Sequence, residues 1–386
     1  MKRFLVIGAG FSGSVLANEL SKSMDCTIDI MDERDHIGGN CYTERDQDTG
    51  ITIHKYGPHI FNTDSEDIWN YMNNITEMVP FINRVKCTYD GNVYSLPINL
   101  HTINQFFSHT LSPDEAVNFI DSISDSTIKN PKNFEEQAIK MVGVKLYKAF
   151  FYGYTKKQWG CEPRDLPASI IRRLPVRFNY DDNYYNNKYQ GIPRNGYTEI
   201  FQKLHSPKNI KVHLSSKFIN GESSTNYDHV FFTGPIDQFF DYKYGKLSYR
   251  TVYFKSKTTD GDYQGCAVMN YSDESVPYTR IHEHKHFTPW ESHSKSIYFM
   301  EYSKKTGPGD IPYYPKRLLP DKKLLYKYRK EAETLEKISF LGRLATYRYM
   351  DMQYVIAEAI DLSKIFIESI KQGKKPPVFI NKESAL

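Results

Sequence analysis

The stretch FLVIGAGFSG at residues 4–13 decides the fold of this 386-residue chain. Its first four residues are apolar and mostly branched, a pattern typical of a buried parallel strand. Gly8 permits a tight turn, Gly10 lets the backbone approach a pyrophosphate, and Gly13 lets a following helix pack closely on the strand. The apolar residues after Gly13 recur at helical spacing, so the stretch predicts a strand, a glycine turn and a helix.

A second strand and a carboxylate complete the pattern for binding a dinucleotide. Residues 27–31 are predicted to form the next parallel strand, and Asp32 follows it, 19 residues beyond Gly13. In dinucleotide-binding folds, an acidic residue at about this distance binds the ribose hydroxyls. The helix that begins after Gly10 would direct its free N–H groups and its positive dipole end at the phosphates.

The residues after Asp32 favour FAD over NAD as the dinucleotide. Residues 33–40, ERDHIGGN, resemble the extension that follows the second strand in FAD enzymes of the amine-oxidase and glutathione-reductase types. Two distant segments, 227–233 and 338–341, are predicted to add strands to the same domain. An amphipathic helix is predicted after Asp351, and its N-terminus would face the flavin ring, where reduced flavin is negatively charged.

The remaining segments predict two further domains. Residues 100–189 have helical patterns, with capping-box signals at 112–115 and 133–136, and end in a polar, proline-containing loop. A loop of this length is often a lid. Residues 237–315 favour strands, because apolar and polar side chains alternate there and aromatic residues are frequent.

We therefore predict an α/β fold with a discontinuous Rossmann-like FAD-binding domain, an inserted helical domain and an antiparallel β-sheet domain. The predicted bounds are 1–80, 190–236 and 316–386 for the FAD-binding domain, 100–189 for the helical domain with a mobile substrate loop at about 170–186, and 81–99 and 237–315 for the sheet domain.

Composition and charge argue against several classes of protein. Lysine and arginine number 50 against 46 aspartate and glutamate, and the resulting net charge of +4 is too small to indicate nucleic acid as a partner. The five cysteines have no metal-binding or redox spacing, which fits a reducing cytoplasm. The apolar N-terminal run ends by Ala17 and contains three glycines, so it is too short to span a membrane. We expect a cytoplasmic protein without metal, nucleic acid or membrane insertion.

Eight short strings resemble the prokaryotic UDP-galactopyranose mutase family, in the same order, from about residue 3 to about residue 370. Several of them are specific to that family rather than to the fold. The strings are YGPHIF at 56–61, FINRV at 81–85, LPIN at 96–99, GYTKKQWG at 153–160, RRLPVR at 172–177, AVMNY at 267–271, PYTR at 277–280 and GRLATYRYMD at 342–351.

This resemblance implies an isomerase that interconverts UDP-galactopyranose and UDP-galactofuranose without net oxidation. In the family, N5 of reduced flavin is the nucleophile at the anomeric carbon and displaces UDP. The resemblance further implies FAD active in its reduced form, UDP-galactose as the substrate, a homodimer, and a role in supplying galactofuranose for surface polysaccharide. Some family members also accept UDP-N-acetylgalactose, and the sequence leaves that choice open.

The resemblance also assigns residues to the substrate. Arg173 on the loop and Arg280 are implied to bind the diphosphate, because a guanidinium can grip phosphate with two hydrogen bonds. His59 is implied to lie near the flavin and completes the catalytic set. Without the resemblance, Arg173 would be interpreted as a solvated charge and Phe150 as a core residue. The implied substrate-binding residues are Asn83, Phe150, Phe151, Tyr154, Thr155, Trp159, Tyr184, Asn270, Tyr313 and Tyr349. Among them, Phe150, Phe151 and Tyr154 are implied to line the pocket for the uridine nucleoside, and Trp159 is implied to lie beside the substrate.

Cofactor contacts are predicted from the glycine motif, from the extension after Asp32 and from the resemblance. The motif and the extension indicate Gly8, Gly10, Phe11, Ser12, Gly13, Asp32, Glu33, Arg34, Gly39 and Asn40. The resemblance adds His59, Arg343, Asp351 and Met352.

Two other functions share the nucleotide-binding motif. An FAD-dependent oxidase or dehydrogenase of the amine-oxidase type would consume oxygen or NAD, but it offers no evident role for Arg173, Arg280 or the string around Trp159. A non-catalytic flavin- or nucleotide-binding regulator would bind its ligand without turnover. A fold alone does not exclude either function.

Overall fold

The structure is a computed structural model, and it describes residues 1–171, 175–221 and 224–381. The strands are β1 (Lys2–Ile7), β2 (Cys26–Met31), β3 (Thr43–Arg45), β4 (Thr52–His54), β5 (Phe61–Thr63), β6 (Met78–Pro80), β7 (Val85–Tyr89), β8 (Asn92–Leu96), β9 (Tyr189–Pro193), β10 (Ile210–His213), β11 (His229–Phe232), β12 (Tyr249–Asp260), β13 (Val268–Tyr271), β14 (Arg280–Glu283), β15 (Lys295–Lys305), β16 (Tyr314–Pro315) and β17 (Ile338–Phe340). The helices are α1 (Phe11–Ser23), α2 (Glu66–Ile75), α3 (Leu100–Phe107), α4 (Pro113–Ile123), α5 (Phe134–Leu146), α6 (Gly153–Trp159), α7 (Thr198–Leu204), α8 (Ile236–Phe239), α9 (Leu319–Ala332), α10 (Gly342–Ala345) and α11 (Met352–Lys371).

Five strands form a parallel sheet in the order β10-β2-β1-β11-β17, in which strands distant in sequence lie side by side. β1 is at the centre, with Leu5 paired to Asp29 on β2 and to Val230 on β11. Helices α1 and α11 pack against each other over this sheet, where the rings of Phe4 and Phe366 meet edge to face at 5.3 Å. The predicted strand, glycine turn and helix are confirmed, and so are the two strands that return from distant segments.

A second sheet has seven strands in the order β16-β12-β15-β14-β13-β7-β8. Its longest pair is β12 with β15, which run antiparallel with Phe254 opposite Glu301. The sequence predicted an antiparallel sheet, and one pair departs from that prediction, because β7 runs parallel to β13. A parallel pair needs a long connection, and here the whole helical region lies between the two strands.

The helical region runs from α3 to α6. The predicted capping box at the start of α4 is confirmed, with Ser112 and Glu115 each accepting the backbone N–H of the other. Asn133 caps α5 with its side chain, as predicted. Gly143 has a φ of +74° and bends α5 near its end. The chain then continues through a π-helical stretch, Tyr147–Tyr152, directly into α6.

The predicted lid at about 170–186 is only partly described, because Arg172, Arg173 and Leu174 lie outside the described residues. From 175 to 188 the chain has no regular secondary structure. Arg177 ties this stretch together by donating to the backbone carbonyls of Asn183 and Tyr185. None of the helices in the described ranges is both long and apolar enough to cross a membrane.

Candidate active site

The glycine turn between β1 and α1 has the predicted shape. Gly8 has a φ of +105°, which favours glycine, and a Cβ on Gly13 would overlap the carbonyl oxygen of Gly8. A Cβ on Gly10, by contrast, would meet only the Cα of Gly39, at an ordinary distance of 3.7 Å. The protein's own packing therefore does not require glycine at position 10, and the bare backbone there fits the close approach of a pyrophosphate.

Asp32 and Arg34 continue this side of the site. The two carboxylate oxygens of Asp32 accept the backbone N–H groups of Ala9 at 2.8 Å and of Arg34 at 2.9 Å. Each oxygen keeps a lone pair that could accept a ribose hydroxyl. Arg34 Nη2 donates to Asn40 Oδ1 at 2.8 Å, whereas Arg34 Nη1 is buried without a hydrogen-bond partner among the described residues. A buried, unpaired guanidinium nitrogen is costly, so it fits a ligand that supplies an acceptor.

The side chains of three predicted cofactor residues lie in the core, at the surface or against another helix. The ring of Phe11 is buried 4.7 Å from the ring of Phe201, so this side chain is a core residue. Glu33 is exposed. Ser12 lies against the start of α10, where a Cβ on Gly342 would overlap its hydroxyl. Any contact that Phe11 makes with the cofactor would therefore come from its backbone.

Arg343 and the start of α11 lie together, on the side predicted for the flavin ring. Arg343 donates to the backbone carbonyls of Met350 at 3.1 Å and of Tyr313 at 3.3 Å, which fixes its guanidinium. The side chain of Asp351 immediately precedes α11 and makes no capping hydrogen bond. Met352, the first residue of α11, accepts a hydrogen bond from Cys41 through its sulfur.

His59 is within electrostatic reach of Arg343, predicted to contact the flavin, and of Arg280, predicted to bind the diphosphate. Its Nδ1 lies 2.8 Å from the carbonyl oxygen of Gly57. Burial lowers the pKa of His59 to about 4, and the charges of Arg343 and Arg280 act in the same direction. His59 is therefore neutral at pH 7, and it connects the predicted cofactor side of the site with the predicted diphosphate side.

Arg280 begins β14 and forms the centre of the predicted diphosphate site. Its Nε donates to Glu301 at 2.9 Å, and Asn270 on β13 is its partner across the strand pair. Although burial opposes the charged form, Glu301 raises the pKa of Arg280 well above its usual range. Arg280 therefore remains a cation in a mostly buried position. Its implied partner Arg173 lies outside the described residues.

Two asparagines predicted to contact substrate have unpaired oxygens. The side-chain oxygens of Asn83 and Asn270 are buried and have no hydrogen-bond partner among the described residues. The side chain of Asn270 is next to Arg280 in the strand register. Since most buried polar atoms are paired, both oxygens fit a ligand that donates hydrogen bonds, such as a sugar or a ribose.

Three tyrosines are within electrostatic reach of Arg280. Tyr154, Tyr185 and Tyr314 are half-buried, and desolvation raises the pKa of each phenol, whereas the charge of Arg280 opposes the shift in all three. The pKa of Tyr314 is raised to about 12. The ring of Tyr314 stacks on that of Tyr349 at 5.8 Å, and Arg343 lies 5.0 Å from the centroid of Tyr349. The phenols are protonated at neutral pH and can donate hydrogen bonds.

Tyr185 and Tyr314 were not predicted from the sequence, which named Tyr184 and Tyr313. Those two stay predictions, because Tyr184 is within electrostatic reach of Tyr154, and Tyr313 is within electrostatic reach of Glu301. Tyr184 meets Tyr185 edge to face at 5.4 Å, whereas Tyr313 is buried with Arg34 among its charged neighbours, on the cofactor side. Each pair is a Tyr-Tyr doublet, and sequence alone does not tell which of two adjacent side chains faces a site. The sequence signal that could have indicated Tyr185 and Tyr314 was their position in a pair of adjacent tyrosines.

The predicted nucleoside pocket is built partly from core residues. Phe150 is 4% exposed and packs against Tyr94 and Phe106, so its interpretation as a core residue is correct. Phe151 and Trp159 are half-buried against a cluster in the helical region. Thr155 is buried on α6. A contact of Phe150 and Phe151 with uracil stays a prediction, and so does a contact of Thr155 and Trp159 with the substrate.

The chain is similar to known proteins of one family. The family described as UDP-galactopyranose mutase matches residues 149–349, and the NAD(P)-binding Rossmann-like domain matches residues 6–75. A probable UDP-galactopyranose mutase from Klebsiella pneumoniae is 54% identical over 98% of each chain. The chain belongs to the UDP-galactopyranose mutase family. A second relative in Escherichia coli, a dTDP-fucopyranose mutase, is 52% identical over 96% of this chain and 100% of its own.

Solved structures show the same fold. A reduced UDP-galactopyranose mutase has a TM-score of 0.75 at 16% identity and covers 96% of both chains. A putative protoporphyrinogen oxidase from Exiguobacterium has a TM-score of 0.65 at 14% identity over 97% of this chain and 99% of its own. The mutase family supplies the activity class, so the protein is an enzyme of the isomerase type, and its fold is shared with a putative oxidase.

Proposed function

We propose that the protein interconverts UDP-galactopyranose and UDP-galactofuranose with FAD in its reduced form. The observation that supports this most strongly is Arg280, held by the buried Glu301 beside the unpaired oxygen of Asn270. Arg280 and Arg343 both act on the pKa of His59, which supports a diphosphate side that adjoins the flavin side. A diphosphate bound at Arg280 would hold its sugar beside the flavin.

The proposed reaction breaks the bond between the anomeric carbon and the diphosphate, so negative charge grows on the diphosphate in the transition state. Arg280 would stabilise that charge, with Arg173 as its second guanidinium. The protonated phenols of Tyr185 and Tyr314 would donate hydrogen bonds to phosphate oxygens. When bound and reduced, the flavin would supply N5 as the nucleophile at the anomeric carbon.

The cofactor proposal rests on the geometry of the nucleotide-binding side. Gly10 and Gly39 would admit the pyrophosphate, Asp32 would accept a ribose hydroxyl, and the unpaired Nη1 of Arg34 would donate to an acceptor of the ligand. Arg343 and the N-terminus of α11 would carry the positive charge and dipole that favour reduced, anionic flavin. These groups fit FAD.

A second candidate substrate is dTDP-fucopyranose, since the dTDP-fucopyranose mutase is almost as similar to this chain as the Klebsiella relative. Fucose is galactose without its 6-hydroxyl. Thymidine differs from uridine by a 5-methyl group and the missing 2′-hydroxyl. Both substrates carry the same diphosphate, so Arg280 would serve either one.

One experiment compares the two substrates. The dithionite-reduced protein is incubated with UDP-galactopyranose or dTDP-fucopyranose at matched concentrations, and furanose products are separated by chromatography. We expect a kcat/KM for UDP-galactopyranose at least about 10-fold higher, because loss of a bound hydroxyl leaves a polar group of the site unpaired. A preference for dTDP-fucopyranose would select the second candidate, and no furanose from either would reject both.

We further propose that the enzyme is a cytoplasmic homodimer that supplies galactofuranose for surface polysaccharide. The support is the family membership, together with cysteines that are free in the described structure. Sedimentation of the purified protein tests the dimer, and loss of galactofuranose from surface glycans after gene deletion tests the role in polysaccharide synthesis.

A further inference from the structure

A half-buried lysine attaches α6 to the seven-stranded sheet. The ammonium group of Lys157 donates to the backbone carbonyl oxygens of Tyr271, Asp273, Val276 and Tyr278, at 2.8, 2.8, 2.9 and 3.1 Å. The carbonyl of Tyr271 is at the end of β13, and the other three belong to the connection between β13 and β14. Burial lowers the pKa of Lys157 to about 8, so the amine is still mainly protonated at neutral pH and offers three N–H donors.

Two further contacts hold the same helix. Arg250 on β12 donates from Nε to the carbonyl of Gln158 at 2.9 Å and from Nη2 to that of Lys157 at 3.2 Å. A cation thereby satisfies carbonyl groups at the C-terminal end of α6. At the other end, Gly153 lies so close to the connection that a Cβ would overlap the carbonyl oxygen of Ser272. The helix is therefore fixed at its first residue and along its last turn.

The connection held by Lys157 has a site residue at each end. Asn270 precedes residues 271–279 and Arg280 follows them, and the two are partners across β13 and β14. Helix α6 itself carries Tyr154, whose phenol is within electrostatic reach of Arg280. The nucleoside side and the diphosphate side of the site thus lie on separate pieces of chain, and they are joined at Lys157.

We infer that Lys157 and Arg250 are positioning residues that set the spacing between the nucleoside side of the site on α6 and the diphosphate side at Arg280. The inference rests on the proposed function, since it takes the ligand to be a nucleoside diphosphate that contacts both sides. Such a ligand gains affinity from its second contact only when the two sides are correctly spaced. A fragment that contacts one side does not depend on that spacing.

The test measures how one substitution changes the Kd values of three ligands. Lys157→Met keeps the apolar stem of the side chain but removes all three donors. We expect the Kd for UDP to rise about 10-fold or more, while the Kd values for uridine and for pyrophosphate each change less than about twofold. Binding to the FAD-loaded protein is measured by calorimetry for UDP and pyrophosphate and by ligand-observed NMR for uridine. The melting temperature and FAD content of each variant are recorded.

Lys156→Met is the matched control. Lys156 precedes Lys157 on the same helix. Its ion pair with Glu274 at 2.9 Å also reaches the connection, but this pair and the one with Glu162 at 3.0 Å lie at the surface, where ion pairs contribute little. Its loss should leave the Kd for UDP within about twofold of wild type. Arg250→Lys keeps a cation but not the forked donors. It should therefore raise the Kd for UDP without changing the Kd values for uridine and pyrophosphate, as Lys157→Met does, but by a smaller factor. This variant decides the question if Lys157→Met does not fold.

Two results would overturn the inference and leave the proposed function intact. One is a Kd for UDP that Lys157→Met does not change. The other is an equal loss of affinity for UDP and for uridine, which a role in stability alone would give. Wild-type protein that fails to bind UDP would overturn the proposed function and the inference together.

Discussion

The Nε of Arg280 lies 2.9 Å from a carboxylate oxygen of Glu301, and only 1% of the Glu301 surface is exposed. His282 approaches the same oxygen at 3.6 Å, but burial holds the pKa of His282 well below its usual value, so it is neutral. Glu301 therefore balances the charge of Arg280. Because the bond is made through Nε, the two terminal nitrogens of the guanidinium can still grip a phosphate.

Glu301→Gln should lower kcat/KM for UDP-galactose by about 10-fold or more, because the amide keeps the shape of the carboxylate but no longer holds Arg280 by charge. FAD content should stay at the wild-type level. The matched control is Glu274→Gln, which removes a surface carboxylate paired with Lys156. Equal kcat/KM in both variants would show that Glu301 does not act through Arg280.

Arg280→Ala should abolish turnover, with a loss in kcat of at least about 100-fold, since the leaving diphosphate loses its buried cation. FAD should remain bound, because the contacts of Arg280 are on the diphosphate side. Steady-state kinetics and the flavin absorbance of the purified variant measure both. Loss of FAD with the substitution would place Arg280 in the cofactor pocket instead.

Gly10→Ala should reduce FAD binding without destabilising the protein that lacks FAD. A Cβ at Gly10 meets only the Cα of Gly39 at 3.7 Å, but it would stand where a pyrophosphate approaches the backbone. Gly13→Ala is the contrasting variant, since its Cβ would overlap the carbonyl oxygen of Gly8, and it should lower stability by about 1–3 kcal/mol. FAD content and urea unfolding of the apoprotein separate the two effects. Wild-type FAD affinity in Gly10→Ala would remove the support that this residue gives to cofactor binding.

The free energy of unfolding should fall as the pH drops below about 6.5. Burial lowers the pKa of His59 to about 4 and of His284 to about 3, and it holds the pKa values of His54 and His282 well below the usual value. In this range the unfolded chain binds protons that the folded protein does not, so each buried histidine removes up to about 1.4 kcal/mol per pH unit until the folded pKa is reached.

Urea unfolding at about pH 7, 6 and 5 measures this slope. His284→Gln should make it shallower by the contribution of one group. A free energy of unfolding that stays constant over this range would contradict the assignment of these histidines as neutral in the folded state.

The sequence predicts best what is specified locally. The turn at Gly8 and the capping box at Ser112 depend on residues within a few positions of each other, and both are present. Glu301 was not predicted, because its role depends on the register that brings β14 and β15 together. Lys157 was likewise missed, since its four acceptors are backbone carbonyls, which leave no mark in a sequence.

The site residues stay predictions, and the sequence indicates them mainly through the strings that resemble the family. Arg280 belongs to the string PYTR at 277–280, and it lies across the strand pair from Asn270, whose amide oxygen is buried. The choice between Tyr184 and Tyr185, or between Tyr313 and Tyr314, depends on which way a loop or a two-residue strand turns its side chains. That direction follows from packing and not from residue type.

We propose that this enzyme isomerises a UDP-sugar through its reduced cofactor. The most direct test is to incubate the purified, FAD-loaded protein with UDP-galactofuranose, with and without dithionite, and to separate the products by chromatography. We predict conversion to UDP-galactopyranose with dithionite and none without it. A folded, reduced, FAD-loaded protein that leaves UDP-galactofuranose unchanged would contradict the account, as would equal conversion by the oxidised protein.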